Sequence, residues 1–74
     1  MHGMGLMTKK QYQKMAYQRA RVYFNADGAE AVAMACLARY DIVNAPSDRH
    51  ITTATAFDLQ QTIDEQIAAF RATT

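Results

Sequence analysis

The chain has 74 residues, half of them apolar, with 8 basic and 7 acidic residues, two histidines and one cysteine. That length allows a single domain with a thin core, of the kind that usually needs a disulfide, a metal or a second subunit for stability. A lone cysteine rules out an intramolecular disulfide, and His2 and His50 lack the spacing of zinc ligands, which leaves oligomerisation as the available device.

Fourteen alanines and so high an apolar fraction argue against a disordered tail. The net charge of +1 hides an asymmetry. Residues 1–26 carry Lys9, Lys10, Lys14, Arg19 and Arg21 with no acid, a charge of +5. Residues 27–74 set Arg39, Arg49 and Arg71 against seven acids, a charge of −4. Either a basic first helix lies against an acidic remainder, or two opposite surfaces are offered to different partners.

Residues 1–7, MHGMGLM, lack the basic and long apolar regions of a secretory signal and read as a flexible leader ahead of one helical domain spanning 8–74. Thr8 caps a first helix expected to run to Phe24 or Asn25. Tyr12, Met15, Ala16, Val22 and Tyr23 share its apolar face, with Arg19 inside that face. Lys10, Lys14 and Arg21 form the opposite stripe with Tyr17 between them, a pattern shared by phosphate-tracking helices and ordinary solvated faces.

Asn25-Ala-Asp-Gly28 breaks that helix, and Asp27 with Glu30 reads as a capping box for the next. So short a joint predicts a helical hairpin. The second helix, expected over 28–43, is apolar nearly all round. Val32, Cys36 and Val43 form one strip; Ala31, Ala35 and Ala38, with Ile42, form another. Glu30 and Asp41, flanked by Met34 and Leu37, make the only arc that reads as wet. Such a helix needs cover on several sides, from the first helix, a third helix or a second protomer. Arg39 and Tyr40 form a candidate partner patch at its end, because Arg and Tyr are enriched at binding hot spots.

Asn44-Ala-Pro-Ser47 ends the second helix, and residues 46–53 read as a linker. His50 reads as a surface histidine, since no nucleophile motif or phosphate-binding glycine loop accompanies it. Thr55 to Asp58 resembles a capping box, opening a third helix to about Arg71 with the stripe Leu59, Ile63, Ile67 and Phe70. The expected fold class is therefore all-α: a helical hairpin plus a third amphipathic helix, forming a homodimeric helical bundle. Val32, Ala35, Cys36, Ala38, Ile42, Leu59, Ile63 and Ile67 are the expected core and dimer positions.

Through the run MAYQRARVYFNADGAEAVAMACLARYDI, residues 15–42, the chain resembles the phage anti-quorum-sensing protein, a small early protein of temperate phages, and the likeness covers about residues 7–74. The resemblance implies a non-enzymatic helical homodimer acting in the cytoplasm of a bacterial host. It implies binding to the DNA-binding domain of a LuxR-type transcription activator, which blocks promoter binding, and inhibition of the pilus-assembly ATPase. A domain that occludes a DNA-reading surface should present acids in place of phosphates. Asp58, Asp64 and Glu65 on the third helix, or Glu30 and Asp41 on the second, are the candidates, with Arg39 and Tyr40 for a second partner. No cofactor, metal or membrane is expected. The alternative reading is a small DNA-binding repressor using the basic first helix. Against it, a helix-turn-helix needs a tighter joint than residues 44–53 provide.

Overall fold

In a computed structural model, which describes residues 7–52 and 54–73, the chain forms three helices: α1 (Lys9–Ala20), α2 (Ala26–Ala38) and α3 (Ala56–Ala72). No strand is present among the described residues, only an isolated antiparallel bridge between Thr8 and His50. The expected leader lies outside the described residues except for Met7. That residue is half-buried against the core, and its carbonyl accepts the Ile51 amide at 2.9 Å.

Thr8 caps α1 as expected and completes a reciprocal box with Gln11. The Gln11 amide donates to Thr8 Oγ1 at 3.1 Å, and the Thr8 amide donates to Gln11 Oε1 at 2.9 Å. The two amides between them donate to loop carbonyls, Lys9 to Arg49 at 2.8 Å and Lys10 to Ser47 at 3.0 Å. The stretch that reads as a linker is thus fastened to the start of α1, where it satisfies helix-end donors. It also adds Ile51 and Ala54 to the core.

The helix ends differ from the sequence expectation. Helix α1 stops at Ala20, four or five residues early, where the Val22 and Tyr23 amides turn back only three residues, to the Arg19 and Ala20 carbonyls. The cap of α2 is Asn25, whose side chain accepts the Gly28 amide at 2.8 Å; Asp27 lies inside the first turn. Helix α2 stops at Ala38, well short of Val43. Asp41 adopts φ 59°, the Asp41 amide donates to the Ala38 carbonyl at 3.0 Å, and the Ile42 amide reaches back to Leu37 at 3.3 Å. This bond pattern is a Schellman motif with aspartate in the left-handed position, and buried Leu37 and Ile42 supply its apolar contact. The apolar run continues past the helix because Ile42 and Val43 still face the core after the chain has turned.

Helices α1 and α2 pack antiparallel: Phe24 lies against Gly28, Gln13 Nε2 is 3.8 Å from Met34 Sδ, and Lys9 Nζ donates to the Val43 and Ala45 carbonyls at 2.7 and 2.8 Å. Helix α3 packs onto the hairpin of its own chain, chiefly on α2. The shared core takes Tyr12, Ala16 and Ala20 from α1; Ala29, Val32, Ala33, Cys36 and Leu37 from α2; and Leu59, Ile63 and Ile67 from α3. Leu37, expected in the wet arc, is 0 % exposed. Ala31 and Ala38, expected to be covered, face solvent, and Ala35 is half-buried. The bulky residues of α2 go inward and the alanine strip is left outside, as transfer free energy favours. Val22 and Tyr23 leave the expected apolar face of α1, because the helix has ended before them. Thr55 caps α3, accepting the Asp58 amide at 3.1 Å.

Candidate interaction surfaces

The end of α2 and the first turns of α3 share a cluster of polar groups. Tyr40 is half-buried, and its hydroxyl donates to Asp58 Oδ2 at 2.5 Å and lies 3.2 Å from Thr62 Oγ1. Its ring meets that of Tyr12 edge-on at 5.9 Å, and the exposed Arg39 guanidinium sits 5.1 Å from the ring centroid. Tyr12 is fully buried, with its hydroxyl 3.4 Å from the Leu59 carbonyl and flanked by Cys36 and Thr62. Burial raises the Tyr12 and Tyr40 hydroxyls above the usual phenol range, with Cys36 adding to the first and Asp58 to the second. Burial likewise pushes the Cys36 thiol up to about 11. These groups are held neutral and bonded to one another. No buried side-chain nitrogen or oxygen among the described residues lacks a partner.

The candidate acids fall into two groups. Asp58 is bonded to Tyr40, and Asp64 is paired with Arg19 across α1 and α3 at 2.5 Å. Glu65 is exposed and accepts Gln61 Nε2 from the preceding turn at 3.1 Å. Asp41 and Glu30 are exposed on the hairpin. The structure therefore brings Arg39, Tyr40, Asp41 and Asp58 to one end of the molecule, with Asp64 and Glu65 further along α3.

Two open grooves flank α1. One, of about 440 Å³, runs between Arg19, Val22 and Tyr23 and the α3 residues Asp64, Ile67, Ala68 and Arg71. The Arg71 guanidinium lies 4.8 Å over the Tyr23 ring. The other, of about 360 Å³, is lined by Lys10, Gln13, Lys14 and Tyr17 with Glu30 and Ala33 opposite, so the basic stripe of α1 borders an acid. Among the described residues three large apolar side chains are exposed: Val22 at 77 %, Phe57 at 75 % and Tyr23 at 53 %. Sequence reasoning placed Val22 and Tyr23 inside and gave Phe57 no role. A signal for Phe57 existed, since at 100° per residue it projects away from the Leu59/Ile63 stripe.

Among the described residues, no three of His, Cys, Asp and Glu gather as metal ligands. No described helix is long and apolar enough to cross a membrane. Compared with known proteins, the chain matches no family model, no curated sequence and no solved structure.

Proposed function

We propose that this chain is a non-enzymatic interaction protein that binds and inhibits other proteins, acting as a homodimer. The observations that support this reading are two separate surfaces: Arg39, Tyr40 and Asp41 gathered at one end of the molecule, open to another protein, and Val22 with Tyr23 exposed in a groove with the charged rim Arg19, Asp64 and Arg71, open to a second copy. Exposed apolar surface rimmed by polar groups is characteristic of protein-binding sites. The interior polar groups point the same way, since Tyr12, Cys36 and Tyr40 are held neutral and spend their hydrogen bonds within the fold.

The sequence resemblance narrows the partner. On that reading the target is the DNA-binding domain of a LuxR-type activator in the cytoplasm of a phage-infected bacterium, with the pilus-assembly ATPase as a second target. Exposed Asp41 and Glu65 then meet the basic DNA-reading surface, and Arg39 with Tyr40 serves the second target. Asp58 and Asp64 join the contact only by exchanging their bonds to Tyr40 and Arg19. A tagged chain used as bait in host lysate should retain a transcription activator or a motor ATPase in stoichiometric amount. Recovery of neither would count against the reading.

A second reading, a DNA-binding repressor, is favoured by Lys10 and Lys14 standing exposed beside Tyr17 along one groove. Glu30 on the opposite wall opposes phosphate binding there. A gel shift with duplex DNA that weakens steeply with salt would support it over the first reading.

A further inference from the structure

The exposed side chains Val22, Tyr23 and Phe57 are related to one another through α3. Phe57, Gln61, Asp64, Ala68 and Arg71 recur at intervals of four and three residues, and all five are exposed. They therefore form a single outward stripe on the side of α3 away from Leu59 and Ile63. Phe57 projects at one end of this stripe. At the other end Ala68, a small residue, opens into the groove walled by Val22 and Tyr23. Knob and hole lie on the same face of the same helix, 11 residues or about 16 Å apart along its axis.

We propose that this face is the homodimer interface, with α3 of two copies packed antiparallel about a twofold axis. Each copy's Phe57 then fills the Val22/Tyr23/Ala68 groove of the other. The inference rests on the homodimer reading above and names its surface. Under a twofold, the requirement that Phe57 meet the partner's Ala68 puts the axis midway between residues 57 and 68. The same axis sets Gln61 opposite the partner's Asp64, so one register satisfies both pairs.

Charge permits the approach. Asp64, which comes near its own symmetry copy, is already neutralised by Arg19. Arg71 holds the Tyr23 ring in place as part of the groove wall. With exposures of 75 % and 53 %, Phe57 and Tyr23 together offer about 250 Å² per copy for burial. That is roughly a third of the ~800 Å² per partner of a standard interface, and the rest of the stripe and Val22 add to it. The alanine strip of α2 is a poorer surface, because Val32, Cys36, Ile42, Leu59, Ile63 and Ile67 are all buried within one chain.

The test is the mass of the full chain in solution by light scattering at micromolar concentration, with circular dichroism as a check on folding. The expected mass is twice the 8.3 kDa of one chain. Phe57→Glu and Ala68→Arg should each weaken dimerisation at least tenfold while keeping full helicity. Phe57 is exposed in the first turn of α3, where an acid suits the helix dipole, so Phe57→Glu is not expected to unfold the chain. A wild-type mass of one chain would overturn the homodimer reading and this interface together. A dimer that survives both substitutions would overturn this interface and leave the homodimer standing. The register has its own probe. Cys36 is fully buried, so a cysteine in place of Gln61 is the accessible thiol and should crosslink between copies through a short bismaleimide. A cysteine in place of Lys14 should not, and equal crosslinking of the two would overturn the assigned axis.

Discussion

The Tyr40 hydroxyl donates to the Asp58 carboxylate at 2.5 Å and so ties the second residue after α2 to the first turn of α3. This bond spans the loop from which Ile51 and Ala54 enter the core. A hydrogen bond to a charged acceptor is among the stronger kinds, and this one is half-buried. Tyr40→Phe should therefore lower the unfolding free energy by about 1–2 kcal/mol. Urea unfolding followed by circular dichroism would measure it. An unchanged midpoint would mean that the contact contributes nothing in solution.

Asp41 occupies the left-handed position that ends α2, with φ 59°. Glycine has no Cβ penalty there, and removing a negative charge from a helix C-terminus also relieves its dipole. The greater freedom of glycine in the unfolded chain opposes both gains. The expected net effect of Asp41→Gly is a stabilisation of about 0.5 kcal/mol, seen as a higher melting temperature. A lower melting temperature would contradict the Schellman assignment.

Gly28 sits in α2, where alanine normally gains about 1 kcal/mol over glycine. Here an added Cβ would come within 2.9 Å of the Phe24 Cβ, an atom that cannot swing aside. Close approach of the interhelical turn outweighs propensity. Gly28→Ala is expected to destabilise the chain by about 1 kcal/mol or more, measured by the same urea titration. A stabilised variant would show that the turn can open without loss.

Raised pKa values set the alkaline limit. Cys36 goes from an ordinary 9.0 to about 11 in the fold, and Tyr12 and Tyr40 are raised as well. Between the unfolded and folded values the unfolded chain has lost protons that the folded chain keeps. Stability therefore has a negative slope with pH in that window. The contribution is fully present below pH 9 and declines as pH rises through about 11. Melting temperatures from pH 7 to 11 should be flat at first and then fall. A rise above pH 9 would contradict the burial of these groups. In keeping with the same burial, Cys36 should react slowly with thiol reagents in the native state and quickly in denaturant.

Much of the fold could be read from local signals. Thr8 and Thr55 announced their helices because capping needs only a hydroxyl and the three residues after it. The Leu59/Ile63/Ile67 stripe was equally plain, since α3 has one wet side. Helix α2 was harder because a sequence apolar all round does not say which side goes inward. Its end was hidden because aspartate, not glycine, takes the left-handed turn. Long-range bonds left no trace either. Lys9 reaches the carbonyls of Val43 and Ala45, and Tyr40 finds Asp58 across 18 residues. The same limit applied to the candidate surface: Arg39, Tyr40 and Asp41 were found as neighbours in sequence. The groove around Val22 and Tyr23 depends on where α1 stops.

Whether the chain inhibits by binding a protein, as proposed, is measured most directly by DNA release. A labelled promoter duplex would be saturated with a LuxR-type activator and titrated with this chain while fluorescence anisotropy is followed. The duplex should be released in proportion to added chain, the chain alone should leave duplex anisotropy unchanged, and Glu65→Lys with Asp41→Lys should weaken release at least tenfold. Anisotropy that holds steady through the titration, or a salt-sensitive rise when the chain alone meets the duplex, would contradict the proposal.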